Sequence, residues 1–271
     1  MDIKREIAER TSQVEKIIKK YLPEETGYQK TVMEAMNYSF LAGGKRLRPM
    51  LMQETYRLFG GSSDIIEPFM AAIEMIHTYS LIHDDLPAMD NDDYRRGRKT
   101  THVVFGEAMG ILAGDALLNF AFETACKGLM QEVGNPSVAR AVQILAQKAG
   151  IYGMLGGQVV DVESEGQTLE REKLDFIYDL KTGALIEASM LIGAVLAGAS
   201  AEEQQVILQV AKDVGLAFQI QDDILDVTSD IQTLGKPIGS DEKNHKTTYV
   251  TIRGLSQAEK DVEEISERAL E

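Results

Sequence analysis

The 271-residue chain is 44% hydrophobic and 26% charged, enough for a sizeable core and without the bias of a disordered polypeptide. Its formal net charge of −15 argues against nucleic acid as a partner. The single cysteine, Cys126, excludes an internal disulfide and makes a reducing cytoplasm the expected compartment.

In chain order, Ile3, Ile7, Val14, Ile17, Ile18 and Tyr21 mark a first amphipathic helix, stopped by Pro23. No basic, apolar and small-residue leader precedes it, so no secretory signal is expected. A second helix runs through Val32, Met36 and Leu41 to Gly43-Gly44, and a third through Tyr56 to Gly60-Gly61. A fourth carries Phe69, Ile73, Ile76 and Leu81 at near-helical spacing; Pro87 disfavours helical geometry at Leu86, so this helix is expected to end close to Asp85. The spacing further predicts helices over Phe105 to Met130 and Val138 to Gln158, and one opened by Thr168 as N-cap that carries Leu174, Ile177, Tyr178 and Lys181. The run Ala188 to Ala199 is too short to span a bilayer, and no transmembrane segment is expected. Ser200 and Glu203 form a capping box for a long helix through Val206, Val210, Val214 and Ala217 to Asp226. Alternating β-branched runs are nearly absent, as are repeats and linkers, so the expected fold is all-α, one domain over residues 1–271.

One stretch is chemically unusual. Asp84, Asp85, Asp90, Asp92 and Asp93 are followed at once by Arg95, Arg96, Arg98 and Lys99. Paired carboxylates in a last helical turn repel each other and face the negative end of the macrodipole. A bound hard cation such as Mg²⁺ reverses that penalty, and the adjacent guanidiniums then call for an anion that also accepts Mg²⁺, which points to a phosphate ester. A second set, Asp222, Asp223 and Asp226, repeats the chemistry on another helix, where Asp222 and Asp226 share a face. A single acidic cluster reads most simply as a solvated helix face; two clusters, each inside an apolar helix near its end, shift the balance to an ion site.

The basic residues are less decisive taken singly. Lys181 lies on an apolar face and reads equally as a snorkelling lysine, and Lys236 follows Gly235 in a loop. Lys45, Arg46 and Arg48 follow two glycines and read either as a helix start or as an anion-binding loop. Neither Gly-Lys pair is a P-loop, because Arg46 and Pro237 stand where Ser or Thr is required; Tyr94 and Arg95 interrupt any EF-hand. His77 shares a helical stripe with Ser80 and Asp84, whereas His83, His102 and His245 read as structural. Gln158, Asp161 and Tyr79 fit either core or cavity lining, and no Ser-His-Asp or Cys-His arrangement is present.

Together these motifs give the chain a family resemblance. Gly43-Gly44-Lys45-Arg46-Leu47-Arg48-Pro49, Asp84-Asp85 with Asp90 and Arg95-Arg96-Gly97, Gly157-Gln158 with Asp161, Lys181-Thr182, Phe218-Gln219 and Asp222-Asp223-Ile224-Leu225-Asp226 occur in one order. The chain resembles the trans-isoprenyl diphosphate synthases, most closely the bacterial farnesyl diphosphate synthases, over nearly its whole length. The resemblance implies an all-helical isoprenoid synthase fold around a central cavity, usually a cytoplasmic homodimer, with the acidic motifs facing each other across the cavity mouth. It implies head-to-tail condensation of isopentenyl diphosphate with an allylic diphosphate, dimethylallyl or geranyl. By position, Asp84, Asp85, Asp90 and Asp222 would hold three Mg²⁺ ions, supported by Asp226. Arg95, Lys181, Thr182, Gln219 and Lys236 would hold the allylic diphosphate, and Lys45, Arg48, His77 and Arg96 would hold isopentenyl diphosphate.

In the family, an aromatic residue at the position of Tyr79, beside Ser80, blocks growth beyond fifteen carbons, so farnesyl diphosphate is the expected product. Geranylgeranyl diphosphate is the nearest alternative, followed by a terpene cyclase, a diphosphate hydrolase and a non-catalytic helical regulatory subunit. Relatives usually continue into a further helical segment and a basic tail beyond the position of Glu271, so a C-terminally shortened chain is expected.

Overall fold

The computed structural model describes residues 3–228 and 247–271. Its described residues are helical apart from turns and one small hairpin, and the expected all-α class is borne out. By contacts the chain divides into two compact units, one of residues 1–143 with 192–199 and one of residues 144–191 with 200–271.

In the first unit, α1 (Ile3–Ile18) buries Val14 and Ile18, and α2 (Lys30–Phe40) buries Ala35, Met36 and Phe40. The chain then turns through Gly43 and Gly44, both at positive φ (86° and 137°), into α3 (Leu47–Leu58), which carries Pro49 in its first turn. Helix α4 (Glu67–Asp84) is buried over almost its whole length. With the preceding turn it is long and apolar enough, by length and composition alone, to cross a membrane, but most of it is covered by protein. A core helix enclosed on every side has the same composition as a spanning one.

The antiparallel helix α6 (Glu107–Gln131) can approach α4 closely because glycines face it. A Cβ at Gly110, Gly114 or Gly128 would come within 3.0 Å of Leu86, 2.1 Å of His83 or 2.9 Å of Phe69, respectively. The expected start at Phe105 is corrected here: that residue ends the short α5 (Thr101–Phe105), and Gly106 at φ 89° separates the two helices.

The helix expected over Val138 to Gln158 is likewise two, α7 (Pro136–Ala149) and α8 (Met154–Glu163). The break lies at Gly153, where a Cβ would meet the Lys148 carbonyl oxygen at 2.1 Å. In the second unit α9 (Arg171–Ile177) begins at Glu170 without a side-chain cap, so Thr168 is not its N-cap. It passes through a π turn, Tyr178–Gly183, into α10 (Ala184–Leu196), whose residues to Leu191 belong to this unit. Helix α11 (Ala201–Thr228) opens with the expected capping box: the Ser200 N–H donates to Glu203 Oε2 at 2.7 Å, and the Glu203 N–H to Ser200 Oγ at 3.2 Å. The short α12 (Tyr249–Arg253) and α13 (Leu255–Leu270) close the chain, with Tyr249, Ala258 and Ile265 packed against Ile220 and Ile224.

Candidate active site

The first acidic set sits where the sequence placed it. Asp84 is the last residue of α4, and Asp85 caps the helix with its N–H on the Leu81 carbonyl at 3.1 Å. Six residues later the loop returns, and the Asp90 N–H donates to the Asp84 carbonyl at 2.9 Å, which brings exposed Asp90 back beside the helix end. Asp85 is only 4% exposed. Burial pushes its carboxyl up to about 6, opposed by Arg95, whose Nε donates to Asp85 Oδ1 at 2.5 Å.

Arg95 is presented by a two-stranded hairpin, β1 (Tyr94–Arg95) and β2 (Arg98–Lys99), which the sequence reading missed. Its two turn residues, Arg96 and Gly97, have φ of 54° and 74°, the geometry of a type I′ turn. An X-Gly pair in a polar stretch was the one available signal.

The hairpin turn carries Arg96 back to the Gly43-Gly44 loop, where its guanidinium donates to the Gly43 carbonyl and a Cβ on Gly44 would strike it at 2.7 Å. Arg46, Arg48, Arg95 and Arg96 all act electrostatically on His77, and with burial, the largest cause, they hold its imidazole well below the ordinary range, so it is neutral. Within this cluster the guanidiniums have different duties. Arg46 is buried and spent: it pairs with Glu74 at 2.6 Å and Glu15 at 3.2 Å and donates to the Phe40 carbonyl at 2.7 Å. Arg48 Nε is buried with no hydrogen-bond partner, and burial with the neighbouring Arg96 lowers the guanidinium's pKa. A half-buried cation with a buried, unpartnered donor favours an incoming anion. Lys45 lies exposed at the mouth of the same loop.

In the second unit a cavity of about 140 Å³ is lined by Asp161, Lys181, Thr182, Gln219, Asp222 and Asp223, among others. Gly157 on α8 makes this possible, because a Cβ there would lie 2.2 Å from the Lys181 amide nitrogen. The π turn can therefore press against α8, and Lys181 Nζ reaches Asp161 Oδ2 at 2.5 Å. On the other side the Thr182 hydroxyl donates to Gln219 Oε1 at 2.8 Å. Such single π turns are common at functional sites. Asp226 does not share the cavity with Asp222: it is 1% exposed and enclosed by the unit. Lys236 lies outside the described residues.

Among the described residues no three carboxylate, histidine or cysteine side chains come together as a ready-made metal cage. The donors near Asp84 and Asp222 are oxygens, the type Mg²⁺ selects, and Mg²⁺ is commonly held by one or two carboxylates and completed by substrate phosphates. The residues present therefore fit a metal that arrives with a phosphate ester.

A family model described as polyprenyl synthetase matches residues 29–271. The chain belongs to the polyprenyl synthetase family. It is 45% identical over 263 residues to the farnesyl diphosphate synthase of Geobacillus stearothermophilus, covering 95% of this chain and 86% of that one. It is 44% identical over 267 residues to the geranylgeranyl diphosphate synthase of Cyanophora paradoxa, covering 97% and 87%. Among solved structures, a farnesyl/geranylfarnesyl diphosphate synthase from Zymomonas mobilis superimposes with a TM-score of 0.85 at 32% identity, covering 98% of this chain and 90% of that one. A geranyltransferase from Helicobacter pylori, complexed with magnesium and isoprenyl diphosphate, superimposes with a TM-score of 0.85 at 31% identity, covering 97% and 88%. This polyprenyl synthetase is thus a short-chain prenyltransferase, a trans-isoprenyl diphosphate synthase with the isoprenoid synthase fold.

Sequence reasoning missed the structural part of two acidic residues packed against the candidate site. Glu74, which neutralises Arg46, sits in an apolar run where a lone carboxylate is itself a signal. Asp223 was quoted only as part of its motif, and its partners come from segments distant in sequence.

Proposed function

We propose that this enzyme condenses isopentenyl diphosphate head-to-tail with dimethylallyl and geranyl diphosphates and releases farnesyl diphosphate. Asp84, Asp85, Asp90 and Asp222 would hold three Mg²⁺ for the allylic diphosphate, with Asp226 supporting them, and Arg95, Lys181, Thr182, Gln219 and Lys236 would bind that diphosphate directly. Bound Mg²⁺ supplies Lewis-acid stabilisation of the diphosphate leaving group. Arg95 and Lys181, each held on a carboxylate at 2.5 Å, can exchange that partner for diphosphate oxygens and orient the allylic carbon. Lys45, Arg48, His77 and Arg96 hold isopentenyl diphosphate, which must keep its own diphosphate and so takes a cationic, metal-free pocket. The observation that carries this reading is the half-buried Arg48, its Nε buried and without a hydrogen-bond partner, beside Arg96 and a neutral His77. The double bond of isopentenyl diphosphate attacks the allylic cation, and the proton released passes to the departed diphosphate, so no protein base is needed. Water must be kept from that cation.

Tyr79, 6% exposed on α4 one turn before His83, favours the fifteen-carbon product. The similarity to a geranylgeranyl diphosphate synthase over 97% of the chain favours the twenty-carbon alternative, and product chromatography decides between them. We treat residues 1–271 as one synthase domain, since the family match runs through both units. Exposed Val103, Val104, Ile111 and Leu112 on α5 and α6 favour a homodimer, and the exposed, unpaired Cys126 favours the cytoplasm.

The test is Mg²⁺-dependent incorporation of labelled isopentenyl diphosphate into an allylic primer. Asp84→Ala should lower it by at least about a hundredfold with helicity intact; unchanged turnover would remove Asp84 from the site.

A further inference from the structure

Asp223 stands next to Asp222 on α11. It is 4% exposed. Its Oδ2 accepts from the Tyr249 N–H at 2.8 Å and from the Tyr178 hydroxyl, while its Oδ1 accepts from Gln219 Nε2 at 3.2 Å. The Tyr178 oxygen also lies 3.0 Å from the Tyr249 nitrogen. Three segments thus meet on one carboxylate: the π turn, α11 and the first residue of α12.

Each of those donors leads toward the cavity. Tyr178 opens the π turn that carries Lys181 and Thr182, and Gln219 is the residue on which the Thr182 hydroxyl rests at 2.8 Å. The Tyr249 N–H is one of the amides a helix start leaves without an intrahelical acceptor, and the Thr248 side chain serves Thr251 instead. Asp223 supplies the missing acceptor and so fixes α12 to the cavity wall. Thr247 and Thr248, just before α12, line the same cavity.

We propose that Asp223 is a positioning residue and not a metal ligand: it fastens the π turn and α12 to α11, and so places Lys181, Thr182 and Gln219 for the diphosphate. This rests on the reading of those three residues as diphosphate binders. An aspartate used as a hydrogen-bond acceptor can be replaced in part by asparagine, whose amide oxygen still accepts from Tyr249 and Tyr178; a carboxylate used on Mg²⁺ cannot.

The experiment compares Asp223→Ala, Asp223→Asn and Asp222→Asn in the full chain. It reads turnover, the KM for geranyl diphosphate, the Mg²⁺ concentration at half-maximal rate, and hydrogen exchange of the Tyr249 amide. Asp223→Ala should raise the KM and speed Tyr249 exchange by about tenfold or more, with Asp223→Asn recovering most of both losses. Half-saturation by Mg²⁺ should stay within about threefold of the parent in both variants but rise in Asp222→Asn. The proposal is overturned if Asp223→Asn loses as much as Asp223→Ala and shifts Mg²⁺ half-saturation as Asp222→Asn does, or if Tyr249 exchange is unmoved in Asp223→Ala. Should the alanine variant not fold, Tyr178→Phe removes a single donor and must likewise speed Tyr249 exchange without moving the Mg²⁺ dependence. A parent chain that made no condensation product would defeat the functional reading, whereas the Tyr249 exchange would still decide the role of Asp223.

Discussion

Arg46 and Arg48 lie two residues apart in one basic motif, and their surroundings give them opposite tasks. Arg46, at a left-handed φ of 49°, turns its planar fork onto Glu74, Glu15 and the Phe40 carbonyl, so it completes the core. Arg48 keeps a buried Nε without a hydrogen-bond partner, a donor left over for an acceptor from outside the core. His77 feels both. Its folded imidazole titrates well below the ordinary 6.5 because of burial and then Arg48, Arg96, Arg46 and Arg95. Between those two values the unfolded chain binds more protons than the folded one, so this group's contribution is fully present above pH 6.5 and is lost as pH falls below it. Asp85, raised to about 6 by burial, acts in the opposite sense over part of that window, so the comparison needs a variant. Urea unfolding at pH 7.5 and 5.5, values about one unit either side of the free imidazole, should show a larger loss at the lower pH in the parent than in His77→Gln; equal losses would mean that His77 is not held neutral by its surroundings.

Tyr79 is the other residue with a specific consequence. Its ring meets His83 edge-on with centroids 5.8 Å apart, and burial, aided by Asp84, pushes its hydroxyl up to about 12, so the buried ring stays neutral. Tyr79→Ala should shift product toward twenty carbons or more, and Tyr79→Phe should not. A farnesyl-only chromatogram from the alanine variant would show that chain length is set elsewhere.

At the scale of elements, the positions of helix ends were legible in sequence where a local rule decides them. Pro87 marks the end of α4 at Asp84, and Ser200 with Glu203 opens α11. The break between α7 and α8, the π turn and the hairpin were not legible, since each answers to a neighbour. Gly153 and Gly157 look like ordinary helix-weakening residues until Lys148 and Lys181 are seen to occupy the space a Cβ would need. Gly157→Ala should therefore displace the π turn, costing about 1–3 kcal/mol in denaturant unfolding and raising the KM for the allylic diphosphate. Retention of both parental values would show that the π turn tolerates being moved away from α8.

For the whole molecule, the charge distribution makes ligand binding a source of stability. The first unit gathers guanidiniums around His77 and carboxylates around Asp84, and the second places Lys181 and Asp222 on one cavity. Mg²⁺ with inorganic diphosphate at about a hundred times its dissociation constant should stabilise the fold by roughly 2.7 kcal/mol, seen as a raised Tm. Asp84→Ala and Asp222→Ala should each remove most of that rise, as should chelation of Mg²⁺ in the parent. A full rise in either variant would detach that carboxylate from the diphosphate.

What the sequence by itself determined about this protein is its helical class, the end of α4 at its aspartate pair, and the second aspartate set on α11. These follow from local rules of periodicity, capping and like-charge repulsion within a few residues. Only the tertiary structure decided which members of each motif face a cavity and which hold the frame. Arg46 parted from Arg48, and Asp223 and Asp226 from Asp222, because burial and hydrogen-bond partners supplied by distant segments govern what a charged side chain is left to do.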